Sequence, residues 1–288
     1  MSSLTIIVAT LNRPTLEDSL KSIRIQSIPS LRVLYVSTPH FRNEIESLHK
    51  RIMPNTDYHI FTTDLKLYGS LNLGLKNTDS DFVSFLHDDD WLGSNFFDKS
   101  LRLLEDNPEI NWCFGDVWRV QENGLVEHLE ADPYYFVGLE LAPPRIWHPA
   151  AIYRKKLFHV DMVGQFRIEI NKIDLRIASD YDWFLRADKL NLRGTKVRDI
   201  EYFMRTGGLS WINHELSISE SMVIVADLFP NSGIISQRWL LTSGHIFRNN
   251  SKFIAFTRII VKFVPKFLRS FLKNRFTKLL AIKSQTIK

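Results

Sequence analysis

Apolar positions along the first hundred residues alternate between two spacings. Short, bulky apolar runs at Thr5–Thr10, Leu31–Val36, His59–Thr62 and Phe82–Leu86 have the length of buried strands. Between them, Thr15–Gln26 carries Leu16, Leu20 and Ile23 at helical spacing after Pro14, a residue favoured in a first turn. Arg42–Ile52 and Ser70–Lys76 read as two further helices. Strands alternating with helices in this order predict a parallel, doubly wound sheet joined by right-handed crossovers.

Past residue 110 the pattern becomes strand-rich. Trp112–Val120, a turn at Glu122-Asn123-Gly124 and Leu125–Leu129 predict a hairpin. Pro143-Pro144 marks a loop before Trp147-His148-Pro149, and Asp180–Lys189 reads as a helix. Gly207-Gly208, after Tyr202–Arg205, is first of all a turn; the sharper reading is a hinge for a mobile lid. There are no internal repeats and no low-complexity tract.

Composition narrows the class without naming a chemistry. With 288 residues and 44% hydrophobic positions, the chain can bury an ordinary globular core. The one cysteine, Cys113, excludes an intrachain disulfide and any multi-cysteine metal site, and it fits a reducing compartment. Set between Trp112 and Phe114, it reads as buried and inert. The opening MSSLTIIVATLNRP has a short apolar run with no basic region before it, which predicts a first strand rather than a secretory signal.

Charge is unevenly spread. Twelve of the 37 Lys and Arg residues follow Asp227, after which there is no Asp or Glu, so the body carries 25 basic against 32 acidic residues. An acidic body with a basic tail suggests a soluble catalytic part tethered to an anionic surface.

The chemistry concentrates at Ser80–Gly93, SDFVSFLHDDDWLG, where an apolar run stops at His87-Asp88-Asp89-Asp90. In open α/β sheets ligands sit beyond the carboxyl ends of the strands. Three adjacent carboxylates repel one another unless a cation or a sugar hydroxyl occupies the gap, and hard oxygen ligands suit Mg²⁺ or Mn²⁺. The plainer reading, a solvated turn capping a helix that starts near Asn95, stands beside it on these residues alone. A histidine–aspartate phosphohydrolase would need more histidines, gathered on helices, so His87-Asp88 does not support one. Asp180 and Asp182 do not share a helical face, so at most one of them is a general base. Trp91 could stack on a sugar, although a core or interface aromatic is the commoner fate.

The motifs together, over roughly Ser3 to Ser210, resemble the family 2 glycosyltransferases of the GT-A fold. TIIVATLNRP is similar to the family's first strand and nucleotide-facing loop, and YGSLNLGLKNTDSDFVSFLHDDDWL to its approach to the metal motif. HPAAIYRKKLF, IASDYDWFLRA and FMRTGGLS resemble its later landmarks, notably in the branch that builds bacterial exopolysaccharide and lipopolysaccharide. The resemblance implies a Rossmann-like, mostly parallel sheet and transfer from a nucleotide-sugar donor. It implies that Thr10, Asn12 and Arg13 line the nucleotide pocket, that Asp88 bonds the ribose, and that Asp89 holds a divalent ion, Mn²⁺ or Mg²⁺. It makes Asp180 the general base and places Asn72 and His148 near donor or acceptor. Such chemistry needs one carboxylate on a metal that stabilises the leaving diphosphate, and a second that takes the acceptor hydroxyl's proton. Together they make an inverting transferase.

Members often carry acidic residues at the end of the second strand, where this chain has Ser37-Thr38-Pro39. Hydroxyls bond a base more weakly than a carboxylate does, so a UDP-sugar leads with dTDP- and GDP-sugars open. His87 stands where many relatives have an acid, and it is a ligand, a neighbour of one, or neither. The runner-up function is a catalytically degenerate nucleotide-binding or interaction protein of the same fold; a nucleotide-sugar hydrolase is third.

The expected division is a catalytic domain over 1–225 and a basic, helical extension over 226–288. In the extension Lys262, Lys266, Arg269 and Lys273 fall on one helical face and Phe256, Ile260, Phe263, Phe267 and Phe271 on the other, with Pro265 dividing the helix. The charge spacing excludes a transmembrane span and suits a helix lying in an anionic membrane interface. Docking on protein is the second reading, and nucleic acid the third and unexpected one. The expected location is cytoplasmic, peripheral on the inner face of the plasma membrane, with a surface-polysaccharide or lipid-linked glycan as acceptor.

Overall fold

A computed structural model describes residues 2–131, 146–192, 194–208 and 213–230. Pro143-Pro144 and the basic stretch from 231 onward lie outside the described residues.

The amino-terminal half builds β1 (Leu4–Ala9), α1 (Leu16–Arg24), β2 (Leu31–Ser37), α2 (Arg42–Ile52), β3 (Asp57–Thr62), α3 (Leu67–Lys76) and β4 (Phe82–His87). β1 pairs in parallel with both β2 and β4, and β2 pairs in parallel with β3. β1, β2 and β4 are covered on both faces, which is why they read as continuous apolar runs rather than alternating ones. Neighbours Ile6 and Ile7 point to opposite cores: Ile7 joins Leu71, Phe85 and Trp183, and Ile6 joins Leu20, Ile45 and Phe96. Gly74 of α3 lets the helix lie close on β1, since a Cβ there would meet Ile7 Cγ2 at 2.6 Å.

The second half adds β5 (Trp91–Leu92), α4 (Phe96–Asp106), β6 (Trp112–Val120), β7 (Val126–Leu129) and β8 (Ala151–Arg154). After β9 (Glu169–Ile170) and β10 (Ile173–Asp174) come α5 (Ser179–Lys189), β11 (Gly194–Arg205) and α6 (His214–Leu228). The main sheet runs β3-β2-β1-β4-β8-β6-β11-β5, with β7 paired to β6 in the expected hairpin. β8 lies antiparallel between β4 and β6, and β5 antiparallel to β11, so the sheet is mixed and mostly parallel, the GT-A arrangement.

Several elements were not expected: the helix α6, the short strands β5, β9 and β10, and the strands β8 and β11. AIYR of β8 is too short to announce itself, and β11 mixes charged and apolar residues and carries a bulge between Lys196 and Glu201. α3 also begins at Leu67, three residues before the expected Ser70, which brings Tyr68 into the helix. α6 runs through the boundary drawn between residues 225 and 226. Among the described residues no helix is long and apolar enough to cross a membrane.

Candidate active site

A cleft of about 710 Å³ opens at the carboxyl ends of β1, β2 and β4, and Asp88, Asp89 and Asp180 all line it. Strand ends place ligands here because the crossover loops diverge and leave main-chain groups unpaired.

Thr10, Ser37 and Asp88 form one knot at its floor. Asp88 Oδ2 accepts from the Thr10 hydroxyl at 2.8 Å and from the Leu11 N–H at 3.0 Å. The Ser37 hydroxyl donates to the Thr10 carbonyl at 2.7 Å, and the Asn12 N–H donates to Thr10 Oγ1 at 2.8 Å. Asn12 takes φ +55°, a left-handed conformation that Asn adopts more readily than most residues. It therefore turns the loop, and its neighbours Leu11 and Arg13 line the cleft. Arg13 ion-pairs with Asp89, and its Nε lies 3.7 Å from Asp88 Oδ1.

The three consecutive carboxylates meet three different fates. Asp88 ties β4 to the loop after β1. Asp89 faces the cleft, where burial pushes its carboxyl above the usual range against the pull of Arg13. Asp90 points inward and accepts from the Tyr202 hydroxyl at 2.7 Å and the Arg205 N–H at 3.0 Å, and burial pushes it up to about 8. Arg205 completes the clamp by donating to the Asp89 carbonyl at 3.1 Å and to Asp18 at 2.8 Å. Its guanidinium lies over Trp91, which is stacked on Phe203 at 5.2 Å. Trp91 thus belongs to the clamp and is not among the residues that line the cleft.

His87, Asp89 and Asp90 present ligand atoms that all lie within 4.8 Å of one another, the single such group among the described residues. His87 Nδ1 is 3.6 Å from Asp90 Oδ2, its Nε2 has no partner, and desolvation pushes the imidazole down to about 3. A neutral imidazole nitrogen beside hard carboxylate oxygens fits a divalent cation.

Asp180 enters from the first turn of α5, where the helix dipole favours an anion. Its Oδ1 accepts from the Tyr181 N–H at 2.8 Å and its Oδ2 pairs with His148 Nδ1 at 3.2 Å. With the carboxylate as acceptor, Nδ1 carries a proton, and Nε2 is buried without a partner. His148 is 4% exposed, and its ring lies 5.3 Å from that of His87, so the imidazoles connect the acidic turn to Asp180. Asp182, by contrast, is fully buried and held by Arg167 and Arg186. The carboxylate available to a ligand is Asp180.

Asn72, like Asn12, is a sequence candidate that does not line the cleft. Its amide donates to the Phe166 carbonyl at 2.7 Å and accepts from the Phe166 N–H at 3.0 Å, which fastens that loop to α3. Cys113 is buried, donates to the Ser100 carbonyl and is pushed up to about 12, as an inert thiol should be. Gly207 takes φ +102° and Gly208 lines the cleft; the residues that follow, 209–212, lie outside the described ones.

Tyr68, Arg205 and Glu220 were missed. Arg205 lies within FMRTGGLS and had that signal. Tyr68 lies just ahead of the helix start expected at Ser70, and Glu220 lies in a helix whose apolar residues are not gathered on one face, so nothing in their spacing marks them.

The sequence pattern of glycosyl transferase family 2 matches residues 5–173. The chain belongs to this family and is a glycosyltransferase of the GT-A fold. Among solved structures it resembles residues 1–349 of TarS from S. aureus (TM-score 0.61, 17% identity, 87% of this chain and 73% of that one). A second TarS structure, in complex with UDP-GlcNAc, matches with TM-score 0.61 and 16% identity over 83% of this chain and 72% of that one. The mannosyltransferase PcManGT from Pyrobaculum calidifontis, in complex with GDP-Man and Mn²⁺, matches with TM-score 0.56 and 13% identity over 98% of this chain and 86% of that one. At such identities the likeness is one of fold. No curated protein matches the chain by sequence.

Proposed function

We propose that the chain is a metal-dependent, inverting transferase that moves a sugar from a nucleotide-sugar, UDP-linked by preference, to a hydroxyl of a surface-polysaccharide or lipid-linked glycan. The observation that carries this reading is that Asp89 and Asp180, ninety-one positions apart in the sequence, line one cleft with Asp180 pinned by His148. Asp180 takes the acceptor hydroxyl's proton as that oxygen bonds to the anomeric carbon, and the bond from that carbon to the diphosphate breaks on the opposite side. His148 holds the carboxylate in line.

Thr10, Asn12 and Ser37 shape the nucleotide end, and Asp88 fixes that wall and offers its Oδ1 toward the ribose. Arg13 is free to turn from Asp89 to the diphosphate. His87, Asp89 and Asp90 would hold Mn²⁺ or Mg²⁺, whose positive charge stabilises the leaving diphosphate when bound. Asn72 acts through Phe166 rather than on a ligand. Residues 1–225 carry the chemistry. The basic 226–288 extension holds the enzyme on the inner face of the plasma membrane, with no role for nucleic acid. The UDP-GlcNAc and GDP-Man bound by the fold's relatives support a nucleotide-sugar donor.

The test is thermal stabilisation by UDP, GDP and dTDP with and without Mn²⁺, followed by nucleotide release from the matching sugars. A ligand at 100 times its Kd stabilises by about 2.7 kcal/mol. A metal-dependent shift that vanishes in Asp89→Asn, with turnover that vanishes in Asp180→Asn, is expected. Binding without turnover would instead favour the degenerate nucleotide-binding protein.

A further inference from the structure

The loop that delivers Asp180 is held from behind. Glu220, on α6, is 1% exposed, and its carboxylate accepts three consecutive backbone N–H groups: Arg176, Ile177 and Ala178, each at 2.9 Å. Consecutive amides aimed at one anion form a concave nest. A buried carboxylate with three charge-assisted bonds is a far stiffer clamp than side-chain packing alone. The Tyr68 hydroxyl donates to the Ile177 carbonyl at 2.8 Å, so the Ile177 residue is fixed through both its N–H and its C=O. Three positions on, Asp180 stands in the first turn of α5.

α6 touches α5 a second time, away from the cleft. Asp227 accepts from Arg167 at 2.8 Å, and Arg167 in turn bonds the buried Asp182. Lys189 of α5 also donates to the Leu228 carbonyl at 3.1 Å, and of these anchors only that of Glu220 reaches the segment leading into Asp180.

We propose that Glu220 is a positioning residue for the general base: its carboxylate sets the 176–178 backbone and, through it, where the Asp180 carboxylate stands. This rests on the reading of Asp180 as the base. Glu220→Gln keeps the shape but replaces one accepting oxygen with an NH₂ group facing N–H donors, so at least one of the three bonds is lost. Misplacing a reacting group by about 1 Å lowers a rate by roughly 10²-fold.

The experiment measures nucleotide release from UDP-, GDP- and dTDP-sugars with water as acceptor, for the full chain and four variants. In Glu220→Gln kcat is expected to fall by about 10- to 100-fold, with the donor KM within twofold of wild type. Glu220→Asp, which keeps the charge but draws the carboxylate back from the three N–H groups by one methylene, should lower kcat in the same sense and carries the test if Glu220→Gln does not fold. Asp227→Asn loosens the distal anchor and should leave kcat near wild type. Amide hydrogen exchange should rise over 176–181 in Glu220→Gln and not in Asp227→Asn.

Wild-type kcat in Glu220→Gln, an equal fall in Asp227→Asn, or a loss of donor affinity that accounts for the lost rate would each overturn the proposal. Asp180→Asn separates it from the reading beneath. If that variant still turns over, the base is misassigned and this inference goes with it. If Asp180→Asn is dead while Glu220→Gln is unimpaired, only the positioning role fails. A wild-type chain that turns over none of the donors overturns both.

Discussion

Asp180 and Asp182 stand two residues apart on one helix, and the structure predicts opposite consequences for the same substitution at each. Asp182 is fully buried; its Oδ1 accepts from Arg167 Nε at 3.0 Å and its Oδ2 from Arg186 Nε at 2.8 Å. Asp182→Asn leaves two guanidinium groups without their counter-charge. Breaking a buried pair costs about 3–5 kcal/mol, and because Arg167 is 31% exposed and keeps Asp227, the lower end applies. A loss of about 3 kcal/mol lowers Tm by roughly 6–12 °C in a chain of this size.

Asp180 is 25% exposed, bonds the Tyr181 N–H and His148 and has the Tyr68 hydroxyl beside it, and an asparagine can keep neutral bonds to each, so Asp180→Asn should cost about 1 kcal/mol. Yet it removes the proton acceptor, for which a rate loss of about 10²- to 10⁴-fold is expected. Thermal unfolding by circular dichroism and nucleotide release, run on the same preparations, read both arms. Equal destabilisation by the two variants, or an Asp182→Asn protein within about 1 kcal/mol of wild type, would refute the division of roles.

Further expectations concern the frame, the cation site and the tail. Gly74→Ala should destabilise by about 1 kcal/mol in urea unfolding, because overpacking of about 1–3 kcal/mol exceeds the helix-propensity gain of about 1; its Cβ would meet three atoms of the buried Ile7 side chain within 3.2 Å. A protein of equal or greater stability would show that α3 can back away from β1. Arg13→Gln should tighten Mn²⁺ binding without nucleotide by roughly fivefold, the equivalent of the ~1 kcal/mol of a half-exposed ion pair, read by electron paramagnetic resonance; unchanged binding would mean that Arg13 does not compete for Asp89. Deleting residues 252–288 should release the protein from anionic vesicles in a sedimentation assay, since each basic residue near the surface contributes on the order of 1 kcal/mol. A truncated protein that still sediments with the vesicles refutes the anchor.

Much of the frame was legible. β1, β2 and β4 are covered on both faces, so their apolar runs carry their own signal, and α2 and β6 span the residues their patterns predict. The acidic turn was legible as a candidate because three adjacent carboxylates repel one another, although on those residues alone a capping turn stood beside it. Their division was not. Whether each of Asp88, Asp89 and Asp90 meets Thr10, the cleft or Tyr202 depends on partners 78, 76 and 112 positions away, and no local pattern encodes such a pairing.

The amino-acid sequence by itself determined the fold class and the family, because periodicity and motif order are local properties of the chain. Tertiary structure alone decided that His148 holds Asp180, that Asn72 serves a loop and Trp91 a clamp, and that Glu220 of α6 grips the backbone leading to Asp180. The physical reason is the same in each case. A buried polar group must find a partner wherever the fold brings one, and distance along the chain does not constrain where that partner lies.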